Sequence, residues 1–342
     1  MRLDARAALQ CHEFLHKSFA PGCFDLSERA PESEMMRELK RQGDIHEART
    51  IENLMTKNLD ILVINKDQGE IEKELTTAEA LINSTAQIII GAWISSVCEE
   101  KIAELTGRET ASDPDRVSRP DLLIRVGEGA DGKPRWAPVD IKSHDPINEN
   151  KSSKLYLAKW DSFLPTDGVE IVARLDLDDA AQLAHYHETL SALGHGQVGE
   201  MIWGGIIGKE AVVVWRDLAE KTHKHFYQET TQHLRDQSIL DIYNGEFNFI
   251  LKVISRAQAL ASDPTLEPLA MPEWKGECKS CPWRDVCKSD LKESNHITLV
   301  QGVTPDRAVS HYANGVTKVS ELARLNWKTA LLVQSGLDVP EF

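Results

Sequence analysis

Two aspartates and a lysine are the residues best spaced to do chemistry. Asp121 follows Pro120 at the head of the apolar run DLLIRV, and Asp140-Ile141-Lys142 closes the next such run, WAPVDIK. The intervening GEGADGKPR is a strong turn signal, so the two runs are expected to form a hairpin. Side chains two apart on a strand face the same way, which would bring Asp140 and Lys142 to one point with Asp121 across from them. Two carboxylates and the Ile141 carbonyl suit a hard divalent cation, Mg²⁺ or Mn²⁺. Such an ion activates water and stabilises a phosphate under attack. Lys142 would orient the water or offset charge on the phosphate. A D-x-K tripeptide also arises by chance, and a strand-end salt bridge is its plain alternative.

Two further groups fit the same chemistry. His46, in Gly43-Asp44-Ile45-His46-Glu47, lies in a helical stretch and would add an imidazole that favours Mn²⁺; a histidine there also serves simply as a surface or core residue. Gln182 and Tyr186 stand four apart on a helix, where an amide and a phenol reach a common phosphate or base unless they are ordinary helix surface. A second constellation is Cys278-x2-Cys281-x5-Cys287, in a loop opened by Gly276 and containing Pro282. Three thiolates so close converge on one inorganic centre. The fourth ligand is open among Cys11, Cys23, Cys98 and a histidine. Cys11 is favoured by its place on a short N-terminal helix, and Cys98, read inside an apolar helix, is expected to pack as a small hydrophobe. Spacing alone leaves zinc and [4Fe–4S] equally open.

Patterning supplies the elements that must hold these groups. Helices are expected over 1–20, 32–55, 76–105, 179–193, 218–238 and 247–261, with Asp178 or Asp179 capping the fourth. Strands are expected at 59–65, 121–126, 136–142, 200–208 and 211–216. Residues 143–178 carry lysines without a clean period and read as a loop or lid. Strands bracketed by helices predict an α/β or α+β core.

The chain has 342 residues, 41% of them hydrophobic, enough for one large domain and an appendage. Its net charge of −15 argues against broad, non-specific coating of nucleic acid, yet leaves room for a local basic stripe. No run of about eighteen apolar residues predicts a membrane span. The first residues, MRLDARAALQCHEFLH, lack the apolar core of a signal peptide. A cytoplasmic protein is therefore expected, its cysteines serving a metal or cluster rather than disulfides.

In chain order, LQCHEFL, the G-x-x-H of Gly43 and His46, the Pro-Asp strand at Asp121, D-I-K at 140–142, Q-x-x-x-Y at Gln182 and Tyr186, and the trailing C-x2-C-x5-C resemble the RecB-like branch of the PD-(D/E)xK nucleases. That branch includes AddB-type and CRISPR-associated exonucleases. The resemblance implies a restriction-endonuclease-like core, a central mixed sheet flanked by helices. His46, Asp121, Asp140 and the Ile141 carbonyl would bind Mn²⁺ or Mg²⁺, Lys142 would be catalytic, and Gln182 and Tyr186 would contact DNA. Cys11, Cys278, Cys281 and Cys287 would hold a [4Fe–4S] cluster stapling the N-terminal helix to the C-terminal region.

The implied activity is cleavage of single-stranded DNA ends in repair, recombination or phage DNA metabolism, with a helicase or recombination protein as partner. Residues 1–295 would form the nuclease domain with its cluster region, and 296–342 a helix-hairpin-helix-like tail. There are departures: His12 follows the first cysteine where proline is usual, Asp140 stands where glutamate is commoner, and Gly302-Val303-Thr304 lacks the second glycine of a phosphate-binding hairpin. The rivals are a cysteine-cluster DNA-binding adaptor that no longer cuts, and a zinc-stabilised RNA-processing enzyme.

Overall fold

The computed structural model describes residues 2–7, 10–107, 109, 116–159, 163–210, 212–224, 236–270, 272–303 and 305–325, with backbone alone for 148–153, 167, 174, 175, 223, 224, 305, 306 and 309. The chain forms two compact units. One comprises Met1–Gln10 with Lys40–Phe249, and the other Cys11–Leu39 with Ile250–Phe342. Of the expected tail at 296–342, residues 326–342 lie outside the described residues.

In chain order the elements are β1 (Leu3–Asp4), α1 (His12–Phe19), α2 (Glu34–Met55), β2 (Ile61–Val63), α3 (Glu70–Asn83), β3 (Ile88–Ile90), α4 (Ser96–Thr106), β4 (Arg116–Val117), β5 (Leu122–Glu128), β6 (Pro134–Ile141), β7 (Ile147–Lys159), β8 (Val169–Leu175) and α5 (Leu177–Ala192). They continue with β9 (Trp203–Ile207), β10 (Val212–Asp217), β11 (His223–Lys224), β12 (Asp236–Gln237), α6 (Ile239–Ala259), α7 (Arg284–Glu293), α8 (Pro305–Ala313) and α9 (Val319–Leu322).

The first unit is α/β, built on a mixed eight-stranded sheet in the order β2-β3-β5-β6-β9-β10-β7-β8. The β2–β3 and β6–β9 pairs are parallel, and the other pairs are antiparallel. One face packs Ile88, Ile90, Leu122, Ile124, Val139 and Ile141 with Leu54 and Ile51 of α2. The other packs Ile89, Leu123 and Trp136 with Leu81 of α3, Ile102 of α4 and Leu190 of α5. Alternate residues of one strand thus feed opposite cores, so β3 reads as an unbroken apolar run, the mark of a strand covered on both faces.

That double burial corrects the helix expected over 76–105. Ile88–Ile90 is a strand between α3 and α4, and Gly91, at φ +73°, turns the chain out of it. The loop expected over 143–178 is instead the β7–β8 hairpin, with 160–162 outside the described residues. Its register slips between Asn148 and Ser153, and edge strand β8 leaves Val169 and Val172 exposed, so no period of two survives in the sequence. The helix expected over 218–238 is not found at 218–224, where the Leu218 amide donates to the Ile202 carbonyl at 2.7 Å, continuing the β10 ladder, and the chain goes on into β11; residues 225–235 lie outside the described residues.

Helix α6 starts earlier than expected, at a capping box in which Ser238 and Asp241 each accept the other's amide at 3.0 Å. Asp176, not Asp178 or Asp179, caps α5. At the N-terminus the helix is confined to α1, because Leu3–Asp4 pairs with β4. Among the described residues no helix is long and apolar enough to cross a membrane.

Candidate active site and cysteine centre

The β5–β6 register pairs Leu122 with Val139, and one step further it sets Asp121 opposite Asp140. Both lie where β6 and β9 run parallel and end together at Ile141 and Ile207. The Ile141 amide donates to Asp121 Oδ2 at 2.6 Å, fixing the carboxylate against the end of β6. Lys142 projects on the Asp140 side. Its Nζ is 2.5 Å from Asp140 Oδ2, 3.8 Å from Asp179 Oδ1 of α5, and donates to Gln182 Oε1 at 2.7 Å.

Gln182 in turn donates from Nε2 to the Tyr186 hydroxyl at 2.5 Å. Tyr186 is 4% exposed, so in this arrangement it holds Gln182, and through it the lysine. Burial alone would lower the Lys142 pKa, but the ion pair and hydrogen bond with Asp140, then Asp179 and Asp121, raise it on balance. The lysine is therefore a fixed cation at neutral pH.

The third acid of the site is Glu47, which sequence reasoning passed over. Burial, followed by the charges of Asp140 and Glu47, holds the Asp121 carboxyl well above the ordinary carboxylate range. Burial likewise raises Glu47, with Lys66 opposing and Asp140 and Asp44 adding to the rise. The signal was present in α2. Glu47 is in helical phase with Ile51 and Leu54, the residues that face the core, so an acid falls on the inward stripe. His46 lies at the same strand ends: its Nε2 is 3.2 Å from the Gly208 carbonyl, just past the end of β9.

The cysteine constellation lies wholly in the second unit. Cys11 occupies the N-cap position of α1, Cys278 and Cys281 border one tight turn, and Cys287 sits on α7. Burial raises all three C-terminal thiols, and Cys11 adds to each rise. Cys287 is pushed up to about 12. The four sulfurs therefore share one field.

Their scaffold is a set of contacts between the chain's two end segments. Trp283 Nε1 donates to Ser18 Oγ at 3.1 Å, the Ala30 amide donates to the Pro282 carbonyl at 2.7 Å, and Phe24 meets Trp283 edge-on. Buried Lys17 bridges Glu13 at 3.0 Å and Asp290 at 2.9 Å. Cys23 is exposed. Cys98 packs in the other unit, where burial pushes it up to about 12 and its thiol donates to the Glu74 carbonyl at 2.9 Å.

No protein-family model, curated protein or solved structure matches this chain. What its site can do follows from its own groups. Among the described residues no three His, Cys, Asp or Glu side chains stand in ligand geometry. Beside Asp140 the Lys142 ammonium takes the position of a cation. The donor set still fits a divalent ion, since Asp121 and Glu47 are both raised by burial and by the charge of Asp140, with Lys142 and Lys66 opposing. Three thiols raised by burial and by their cysteine neighbours, with Cys11 beside them, fit a thiolate-bound iron or zinc centre in the same way.

Proposed function

We propose that this chain is a metal-dependent deoxyribonuclease of the RecB-like PD-(D/E)xK type, acting on single-stranded ends. The observation that carries the reading is the pair of carboxylates, Asp121 and Asp140, abreast on adjoining strands with Lys142 held on the second. Asp121, Asp140 and Glu47, with the Ile141 carbonyl, would hold Mn²⁺ or Mg²⁺, whose chemistry is to polarise the phosphate and lower the pKa of the attacking water. His46 would join them through Nδ1 while its Nε2–H keeps the Gly208 carbonyl.

Lys142, kept cationic by its carboxylate neighbours, is suited to donate to a non-bridging phosphate oxygen as charge builds there, rather than to remove a proton. Gln182 and Tyr186 keep its ammonium aimed. Cys11, Cys278, Cys281 and Cys287 would hold a [4Fe–4S] cluster as a cross-link between the chain's two end segments, with a role in folding rather than in cleavage. The net charge of −15 suits an enzyme that meets DNA through a restricted surface or through a helicase or recombination partner.

The test is release of nucleotides from an end-labelled single strand in Mn²⁺. Wild type should shorten the strand and Asp140→Ala should not. A strand left intact by wild type in both Mn²⁺ and Mg²⁺ would favour the non-cutting adaptor.

A further inference from the structure

Next to Asp121 lies a cationic group that the proposed chemistry does not use. Residues 91–94 run alongside 118–121: the Gly91 amide donates to the Asp121 carbonyl at 3.1 Å, and Ile94 and Ser118 exchange two hydrogen bonds at 2.9 Å each. Trp93 sits between these ties, its amide donating to Thr77 Oγ1 of α3 at 3.0 Å. Over its ring lies the Arg119 guanidinium, 3.7 Å from the centroid. The Lys73 ammonium, one turn before Thr77 on α3, is 5.5 Å from the same ring.

Arg119 is exposed. Among the described residues neither Arg119 nor Lys73 has a carboxylate within ion-pair distance, although the chain holds 54 acidic residues. Trp93 Nε1 also lacks a hydrogen-bond partner among them. Two cations left unneutralised in so acidic a chain, and held by one aromatic ring, point to an anionic ligand. Pro120 restricts Arg119 to an extended conformation, so the side chains of Arg119 and Asp121 lie on one side of the chain with Cα atoms about 7 Å apart. One nucleotide of an extended strand covers such a span.

We infer that Arg119, seated on Trp93 beside Lys73, is a phosphate clamp that grips the DNA phosphate next to the one cut between Asp121 and Asp140. The inference rests on the nuclease reading and adds to it the surface that holds the strand. Stacking on the indole fixes the guanidinium plane and leaves its N–H edges free for bidentate contact with phosphate oxygens.

The experiment measures binding apart from cutting. The full chain carrying Asp140→Asn is titrated against a fluorescent oligothymidine strand at several salt concentrations. Adding Arg119→Ala should weaken affinity about tenfold, the worth of one charge-assisted contact. It should also lower the slope of log affinity against log salt by about 0.7, one single-strand phosphate. Arg119→Lys should keep the slope and lose part of the affinity. Lys133→Ala, in the turn at the far end of the β5–β6 hairpin, should match its parent. An Arg119→Ala protein with unchanged affinity and slope overturns the clamp. If wild type never cuts the strand but Arg119→Ala still weakens binding, the nuclease reading falls and Arg119 remains a strand-phosphate contact. If wild type cuts while Arg119→Ala binds as before, the clamp alone falls, and a wild type that does not bind the strand sinks both.

Discussion

Replacing Asp121 by Asn removes one charge from a crowded trio without altering shape, and should stabilise the protein while abolishing its response to metal. Burial, then the charges of Asp140 and Glu47, holds the Asp121 carboxyl above its usual range, so the fold bears a cost to keep it there. Asparagine retains an oxygen to accept the Ile141 amide that now bonds Asp121 at 2.6 Å. Once both carboxyls are ionised, two like charges about 4 Å apart repel by about 4 kcal/mol at an effective dielectric near 20. Lys142 offsets part of this, leaving a gain of about 1–2 kcal/mol, common when a functional charge is removed. For a unit of roughly 200 residues that is a rise in melting temperature of about 3–6 °C.

Scanning calorimetry in metal-free buffer measures it directly. Added Mn²⁺ should then stabilise wild type, by about 2.7 kcal/mol at a hundredfold excess over Kd. The variant should gain little. An Asp121→Asn protein that melts at or below wild type without metal, or gains as much from Mn²⁺, would refute the reasoning.

Three further outcomes are expected. Lys17→Met strands buried Glu13 without its cation and should destabilise the second unit by about 3 kcal/mol in urea unfolding; a change below about 1 kcal/mol would mean that the Glu13–Lys17–Asp290 bridge carries no structural weight. Cys11→Ser should abolish broad absorbance near roughly 400 nm and the bound iron, whereas Cys23→Ser keeps both; a colourless wild type loaded with zinc would contradict the cluster. His185 and His187 are each lowered by burial to about 4. The unfolded chain therefore takes up their protons first, and the stability they support is complete above about pH 6.5 and declines as pH falls toward 4, by up to about 3 kcal/mol each. Urea midpoints unchanged between pH 7 and pH 5 would contradict this.

What the sequence revealed is the local part of the site. The turn between two apolar runs and the period of two along D-I-K were enough to set Asp121, Asp140 and Lys142 at one strand end. An α/β or α+β core also followed from strands bracketed by helices, and the mixed sheet from the resemblance. Patterns that depend on tertiary covering were lost. Ile88–Ile90 looks helical in isolation because both of its faces are buried, and β7–β8 looks like a loop because an edge hairpin with a register slip keeps no alternation. His46 drew attention as an imidazole, yet helix phase turns the neighbouring Glu47 toward the aspartates. Local spacing of the cysteines left the fourth thiol open, since Cys11 reaches the others only through contacts such as Trp283 with Ser18, made between residues far apart in the chain.

The proposed phosphodiester-cleaving centre lies at the ends of β5 and β6. Single-turnover digestion of a 5′-labelled single strand, with Mn²⁺ and without divalent metal, by wild type and Lys142→Ala, addresses it directly. Metal-dependent shortening by wild type, slowed at least about a hundredfold in the variant, is the expected result. Equal cutting by Lys142→Ala, or an uncut strand under every condition, would contradict it.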